Sequence, residues 1–130
     1  MILGIGTDIV EIKHFQVVLK KTPAILKRVF TAKEIKVGEK LIGAKRNAYY
    51  AKRFAAKEAI SKACRTGIGE KLSWQDIEIS NLVGGAPVAN LSPKATLFLK
   101  QEFGAKKTRL FLSLSDEKNY VTAFAVLEKN

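Results

Sequence analysis

Arg53-Phe-Ala-Ala-Lys57-Glu58-Ala-Ile-Ser-Lys62-Ala63 carries three cations and one carboxylate and contains neither glycine nor proline. Wound at about 100° per residue, it puts Arg53, Lys57, Glu58, Ser61 and Lys62 on one half of a helical cylinder. Ala51, Ala55, Ala59 and Ala63 recur at i, i+4 along the other half. Alanine combines the strongest helix propensity with a very small side chain, so this ridge predicts a helix lying close against a sheet or another helix. One side is then packing, and the other is a rigid platform for charged groups. Glu58 and Lys62, spaced i, i+4 in the favourable order, equally fit a solvated ion pair contributing only about 0.2–0.5 kcal/mol.

The 130 residues, 47% hydrophobic and 27% charged, suit one domain spanning 1–130 with a real core rather than a disordered chain. No apolar run approaches the roughly 20 residues of a spanning helix. Met1-Ile-Leu-Gly-Ile-Gly-Thr-Asp8 lacks the basic start and long apolar middle of a signal peptide, so a cytoplasmic protein is expected. Cys64 is the only cysteine, which excludes an intrachain disulfide and a cysteine-rich zinc site. Beside the alanine ridge it reads as a small buried apolar residue. His14 is the only histidine and has no nucleophile paired with it, which argues against Ser-His or Cys-His catalysis. A net charge of +11 asks for an anionic partner, and nucleic acid, a phosphorylated cofactor, an acidic protein and a membrane surface all satisfy it.

Ile2-Leu-Gly-Ile-Gly-Thr-Asp8 predicts a short strand whose two glycines allow close backbone approach, with Asp8 at its end, where it either caps the next helix or serves a site. A helix over about Glu11 to Lys21 places Ile12, Phe15 and Leu19 on one side. Pro23 breaks it before a basic stretch with Lys27 and Arg28. Thr31-Ala-Lys-Glu34 has capping-box spacing, and Asn47 is the expected N-cap of the long central helix. Asp76–Ser80 and Pro87–Leu91 read as strands around Gly84-Gly85, with Trp74 packing at their entrance. Ser92-Pro93 opens a helix that Gly104 closes, with Leu97 and Phe98 expected to face the core. Thr108–Ser115 and Tyr120–Leu127 alternate as a hairpin. The expected fold is α+β, a mainly antiparallel sheet with helices packed on it, and so few strands leave a sheet face that self-association would cover.

Gly4-Ile-Gly-Thr-Asp8-Ile-Val-Glu11, Phe30-Thr31-x-x-Glu34 and Arg53-Phe-Ala-Ala-Lys57-Glu58-Ala-x-x-Lys62-Ala63 together resemble the holo-(acyl-carrier-protein) synthases, the small phosphopantetheinyl transferases. The resemblance continues through Thr66-Gly67-Ile68, Asp76-Ile-Glu-Ile, Gly85-x-Pro87 and Ser113-Leu-Ser-Asp116-Glu-x-x-Tyr120, and so covers essentially the whole chain. It implies transfer of 4′-phosphopantetheine from coenzyme A to a serine of apo acyl carrier protein, with release of adenosine 3′,5′-bisphosphate. By position, Asp8 and Glu58 become catalytic residues and Mg²⁺ ligands. Phosphoryl transfer needs a hard cation and fixed positive side chains more than covalent chemistry, and Mg²⁺ commonly takes one or two carboxylates. Lys57 and Lys62 are expected against the pyrophosphate, with Lys62 also counted as catalytic, and Arg53 on the 3′-phosphate. Gly85, Pro87 and Ser115 are implied near the adenosine end, an ordinary hairpin turn being the plain alternative.

The family pattern also makes Lys13, His14, Val17, Lys20, Lys21, Lys27 and Arg28 a docking surface for the acidic carrier protein, against a plain solvated helix face. It implies a homotrimer with active sites at subunit interfaces. Three positions depart from it. His14 replaces a frequent Arg and is a weaker cation at neutral pH. Arg65 stands where glycine is usual, so a left-handed helix cap there would be strained and the helix is expected to end differently. Asp116 is an acid that repels phosphate, so no direct phosphate contact is carried over to it. A nucleic-acid module is disfavoured because zinc spacing, exposed strand aromatics of the recognition-motif kind and an arginine-rich tail are missing. A non-catalytic binder of acidic proteins would not require acids at both 8 and 58. No membrane partner is expected.

Overall fold

The computed structural model describes residues 1–130. Strand β1 (Ile2–Glu11) leads into α1 (Ile12–Lys21), the short α2 (Ile25–Val29), α3 (Ala32–Gly38) and the 21-residue α4 (Gly43–Ala63). A single 3₁₀ turn (Trp74–Asp76) precedes β2 (Ile77–Asn81) and β3 (Pro87–Leu91), and α5 (Pro93–Phe103), β4 (Thr108–Asp116) and β5 (Tyr120–Lys129) complete the chain. The strands form two antiparallel sheets, one ordered β1-β5-β4 and the other a β2-β3 hairpin. The α+β architecture expected from the sequence is therefore present, with its sheet divided in two.

Helix α4 lies on the inner face of the larger sheet. Val121, Ala123, Ala125 and Leu127 of β5 are buried beneath Ala51, Ala55, Ala59 and Ala63. The glycines of β1 explain how closely it sits. A Cβ on Gly4 would collide with the carbonyl oxygen of Ala63, and one on Gly6 with that of Ala59. The helix backbone thus rests directly on the strand, which sets its height over β1 more firmly than side-chain packing does.

Several local expectations hold. Thr31 and Glu34 form a reciprocal capping box, Ser92 caps α5 with Pro93 following it, and Gly104 closes α5 at φ 58°. Others are corrected. Strand β1 continues past Asp8 to Glu11, since each residue to Glu11 pairs with β5, so Asp8 lies within the strand opposite Ala123 and caps nothing. Helix α4 starts at Gly43, with Ile42 as its N-cap, so Asn47 is inside the helix. In α5 the core residues are Ala95 and Leu99, while Leu97 is exposed, the helix being turned by its contacts with β3 and β4.

Arg65 does take the left-handed conformation, at φ 63°. Its N–H donates to the Lys62 carbonyl, and the N–H groups of Thr66 and Gly67 both donate to that of Ser61, so α4 ends in the glycine-type cap with an arginine in the glycine position. The outer face of the larger sheet presents Ile5, Ile9, Phe111 and Phe124, each at least 43% exposed. No helix is long and apolar enough to cross a membrane.

Candidate active site

Asp8 and Glu58 meet at the mouth of a cleft of about 470 Å³ between β1, α1, α2, α4 and the 3₁₀ turn. Asp8 points from the inner face of β1, Glu58 from the half of α4 nearest that strand. Lys62, one turn further along α4, donates to the carbonyl of Thr7 at 2.9 Å and lies 3.4 Å from Asp8 Oδ1. Burial raises the pKa of Asp8 above the ordinary carboxylate value, with Lys62 pulling the other way. Burial also raises that of Glu58, the charge on Asp8 raises it further, and Lys62 opposes both. Two acids thus share one half-exposed lysine, and the cluster is short of positive charge.

That deficit is what a hard dication corrects. No group of three or more His, Cys, Asp or Glu side chains that could hold a metal is present. The donor set is a carboxylate pair, which suits Mg²⁺ because that ion takes one or two carboxylates and completes its shell with water and phosphate oxygens.

The apolar interior of the cleft is built by Phe15, Phe54, Val29 and Trp74, with Phe54 and Trp74 stacked at 5.2 Å between ring centroids. His14 and Arg28 stand on its rim. Lys13, Val17, Lys20, Lys21 and Lys27 are exposed on α1 and α2, and of the seven docking candidates only His14 and Arg28 line the cleft itself.

The remaining candidates are dispersed. Lys57 is corrected most sharply. It is fully buried, its Nζ donating to Glu34 Oε1 at 2.7 Å, to the Val29 carbonyl at 2.7 Å and to the Trp74 carbonyl at 3.1 Å. An ammonium with all three N–H groups engaged inside the protein has none left for a pyrophosphate. The helical projection places it on an open face, but a second layer, α2, α3 and β2, covers the side of α4 opposite the sheet. Arg53 and Ser61 are buried with it.

Arg53 donates to Asn81 Oδ1 at 2.6 Å and stacks 4.0 Å from the centroid of the Tyr49 ring, but its buried Nε has no partner. Asn81 pairs across the hairpin with Pro87, and its amide donates to the Gly85 carbonyl. The fold therefore joins Arg53, Gly85 and Pro87 through Asn81, a residue no sequence signal identified. Ser115 is exposed at the end of β4, and its neighbour Asp116 is 3.9 Å from Lys52. On one chain these groups are separate from the Asp8–Glu58 cleft, whose lining includes none of them.

The family pattern described as the 4′-phosphopantetheinyl transferase superfamily matches residues 4–125, and the chain belongs to that superfamily. It is 43% identical over 131 residues to the holo-(acyl-carrier-protein) synthase of Zymomonas mobilis, covering 98% of this chain and 97% of that relative. Among solved structures it resembles the holo-(acyl-carrier-protein) synthase of Neisseria meningitidis with a TM-score of 0.88 and 40% identity, over 99% of this chain and 100% of that one. The corresponding enzyme of Bacillus anthracis, solved in complex with CoA (3′,5′-ADP), matches with a TM-score of 0.84 and 36% identity, over 100% and 99% of the two chains.

Proposed function

We propose that this protein is a holo-(acyl-carrier-protein) synthase that transfers 4′-phosphopantetheine from coenzyme A to a serine of apo acyl carrier protein. The observation that carries this reading is the charge-deficient Asp8–Glu58–Lys62 cluster, open to an apolar cleft and bordered by a run of exposed cations on α1 and α2.

In the reaction the serine Oγ forms a bond to the pantetheine-side phosphorus of coenzyme A. The bond from that phosphorus to the bridging oxygen breaks, and adenosine 3′,5′-bisphosphate leaves with the electron pair while the serine proton passes to water. Asp8 and Glu58 would hold Mg²⁺, which when bound supplies positive charge against the pyrophosphate. Lys62, anchored by the Thr7 carbonyl, keeps one N–H free to meet developing charge on the leaving phosphate. The stacked Phe54 and Trp74 form the apolar wall of the cleft beside the acids. Arg53, held by Asn81, is the cation we assign to the 3′-phosphate, with Gly85 and Pro87 beside it and Ser115 at the edge of the adenosine site.

Arg53 and its partners lie on a different side of α4 from the acids, outside the cleft lining, and the apolar outer face Ile5, Ile9, Phe111, Phe124 is uncovered. Both features support a homotrimer in which the cleft of one subunit meets the Arg53 side of the next. We read the protein as one cytoplasmic transferase domain over 1–130, acting on an acidic protein rather than on nucleic acid or membranes. Incubation with apo acyl carrier protein, coenzyme A and Mg²⁺ should give the phosphopantetheine adduct by mass spectrometry. No adduct with several carrier proteins would overturn the reading, and sedimentation as a monomer would overturn the trimer.

A further inference from the structure

The last turn of α2 has an unusual set of partners. Gln75 Nε2 shares its two N–H groups among the carbonyls of Lys27 at 2.9 Å, Arg28 at 3.2 Å and Phe30 at 2.9 Å, and Lys57 donates to the intervening carbonyl of Val29. Three carbonyl oxygens around one amide end leave only its nitrogen able to sit there. Four consecutive carbonyls, 27 to 30, are thereby held by two side chains from distant parts of the sequence. Lys57 also holds the Trp74 carbonyl, next to Gln75, so the two grips belong to one cluster. Glu34, which fixes Lys57, accepts in turn from the N–H groups of Thr31 and Ile79.

Helix α2 has five residues and no side-chain cap, too short to hold its own direction. It nevertheless carries Lys27 and Arg28 of the basic surface, and Arg28 and Val29 line the cleft with Asp8 and Glu58. Its orientation has to come from outside, and these bonds supply it.

We propose that Gln75 and Lys57 are positioning residues that clamp the end of α2 over Glu58, so that Lys27 and Arg28 receive the acidic carrier protein at the height its serine needs. The inference rests on the transferase reading above. Gln75 is exposed, so its loss opens no cavity, and its bonds end only on the segment that bears the docking cations.

The test is Gln75→Met, which keeps the shape and cannot donate. Amide exchange in residues 25–30 should quicken about tenfold with the rest of the protein unchanged. The KM for carrier protein should rise about fivefold, the size expected when one or two hydrogen bonds no longer order the site, while kcat and the KM for coenzyme A stay within about twofold. Lys57→Met combined with Glu34→Gln, which removes both buried charges, should show the same split, and if that variant does not fold, Gln75→Met decides alone. Unchanged exchange in 25–30 overturns the clamp. Faster exchange with an unchanged KM for carrier protein overturns its role in docking. A wild-type protein inert toward carrier proteins removes the transferase reading and the docking role with it, while the exchange measurement still decides whether Gln75 holds α2.

Discussion

Lys57 and Glu58 are neighbours on one helix, and the fold gives them opposite surroundings. Lys57 faces a carboxylate and two carbonyls inside the protein, and Glu34 opposite it accepts three donors, so charges and hydrogen bonds are complete on both sides. Glu58 faces a second acid, shares one partly exposed lysine with it, and opens onto a cleft. The first pair locks elements together. The second cluster is stable only as far as the surrounding fold compels it, and that charge imbalance is what the proposed Mg²⁺ would offset.

The comparison breaks most dramatically at the buried pair. Lys57→Met alone leaves the Glu34 charge buried without its partner, and should cost about 3–5 kcal/mol in denaturant unfolding. Adding Glu34→Gln should recover only part of that loss, since its NH2 end must face the N–H of Thr31 or Ile79, and a single mutant as stable as wild type would show that the pair is not holding charge in the way described.

Glu58→Gln should do the reverse, sparing the fold and damaging the chemistry. Losing half of the carboxylate pair should lower kcat/KM for transfer by roughly 10²–10³, corresponding to several kcal/mol of transition-state stabilisation. Stability moves the other way. A carboxylate whose folded pKa lies above its unfolded one, 4.5 for Glu58, binds more protons folded than unfolded as pH climbs through that interval. Stability is therefore lost as pH rises above 4.5 through the raised folded pKa. In metal-free protein Glu58→Gln should have a slightly higher Tm than wild type at pH 7, the advantage disappearing below about pH 4. A lower Tm at pH 7 would contradict the charge imbalance.

The distance between Asp8 and Glu58 can be tested without altering either acid. Gly6→Ala drives a methyl group against the Ala59 carbonyl, a backbone atom that cannot swing aside. It should cost about 1–3 kcal/mol and lift α4 from β1, so that transfer falls by more than the population of unfolded protein explains. Equal losses in stability and activity would refute that geometry. The smallest effect is at the helix end, where Arg65→Gly relieves the left-handed strain but frees the unfolded chain, for a net gain of about 0.5 kcal/mol or less by thermal unfolding.

Much of this was legible because it depends on neighbours in sequence. The capping box at Thr31, the Ser92-Pro93 start, the Gly104 stop and the β4–β5 hairpin are set by hydrogen bonds and alternation within a few residues. The alanine ridge and the paired glycines of β1 likewise announced a close helix–strand contact. Lys57 was misplaced because a helical projection shows which residues share a face but not how many layers cover it. Asn81 and Gln75 gave no signal at all, since an isolated amide is meaningful only when its acceptors come from elsewhere in the chain.

By itself the sequence determined the element types and the superfamily and singled out Asp8 and Glu58, the acids the fold brings together, because local propensity, periodicity and motif spacing carry that information. Only the tertiary structure decided that Lys57 turns inward while Glu58 turns out, that α2 is held by its carbonyls, and that Arg53 and the acids lie in separate places on one chain. The reason is physical. Burial and charge pairing arise between segments distant in sequence, and the same lysine is a phosphate ligand or a structural tie according to what packs over it.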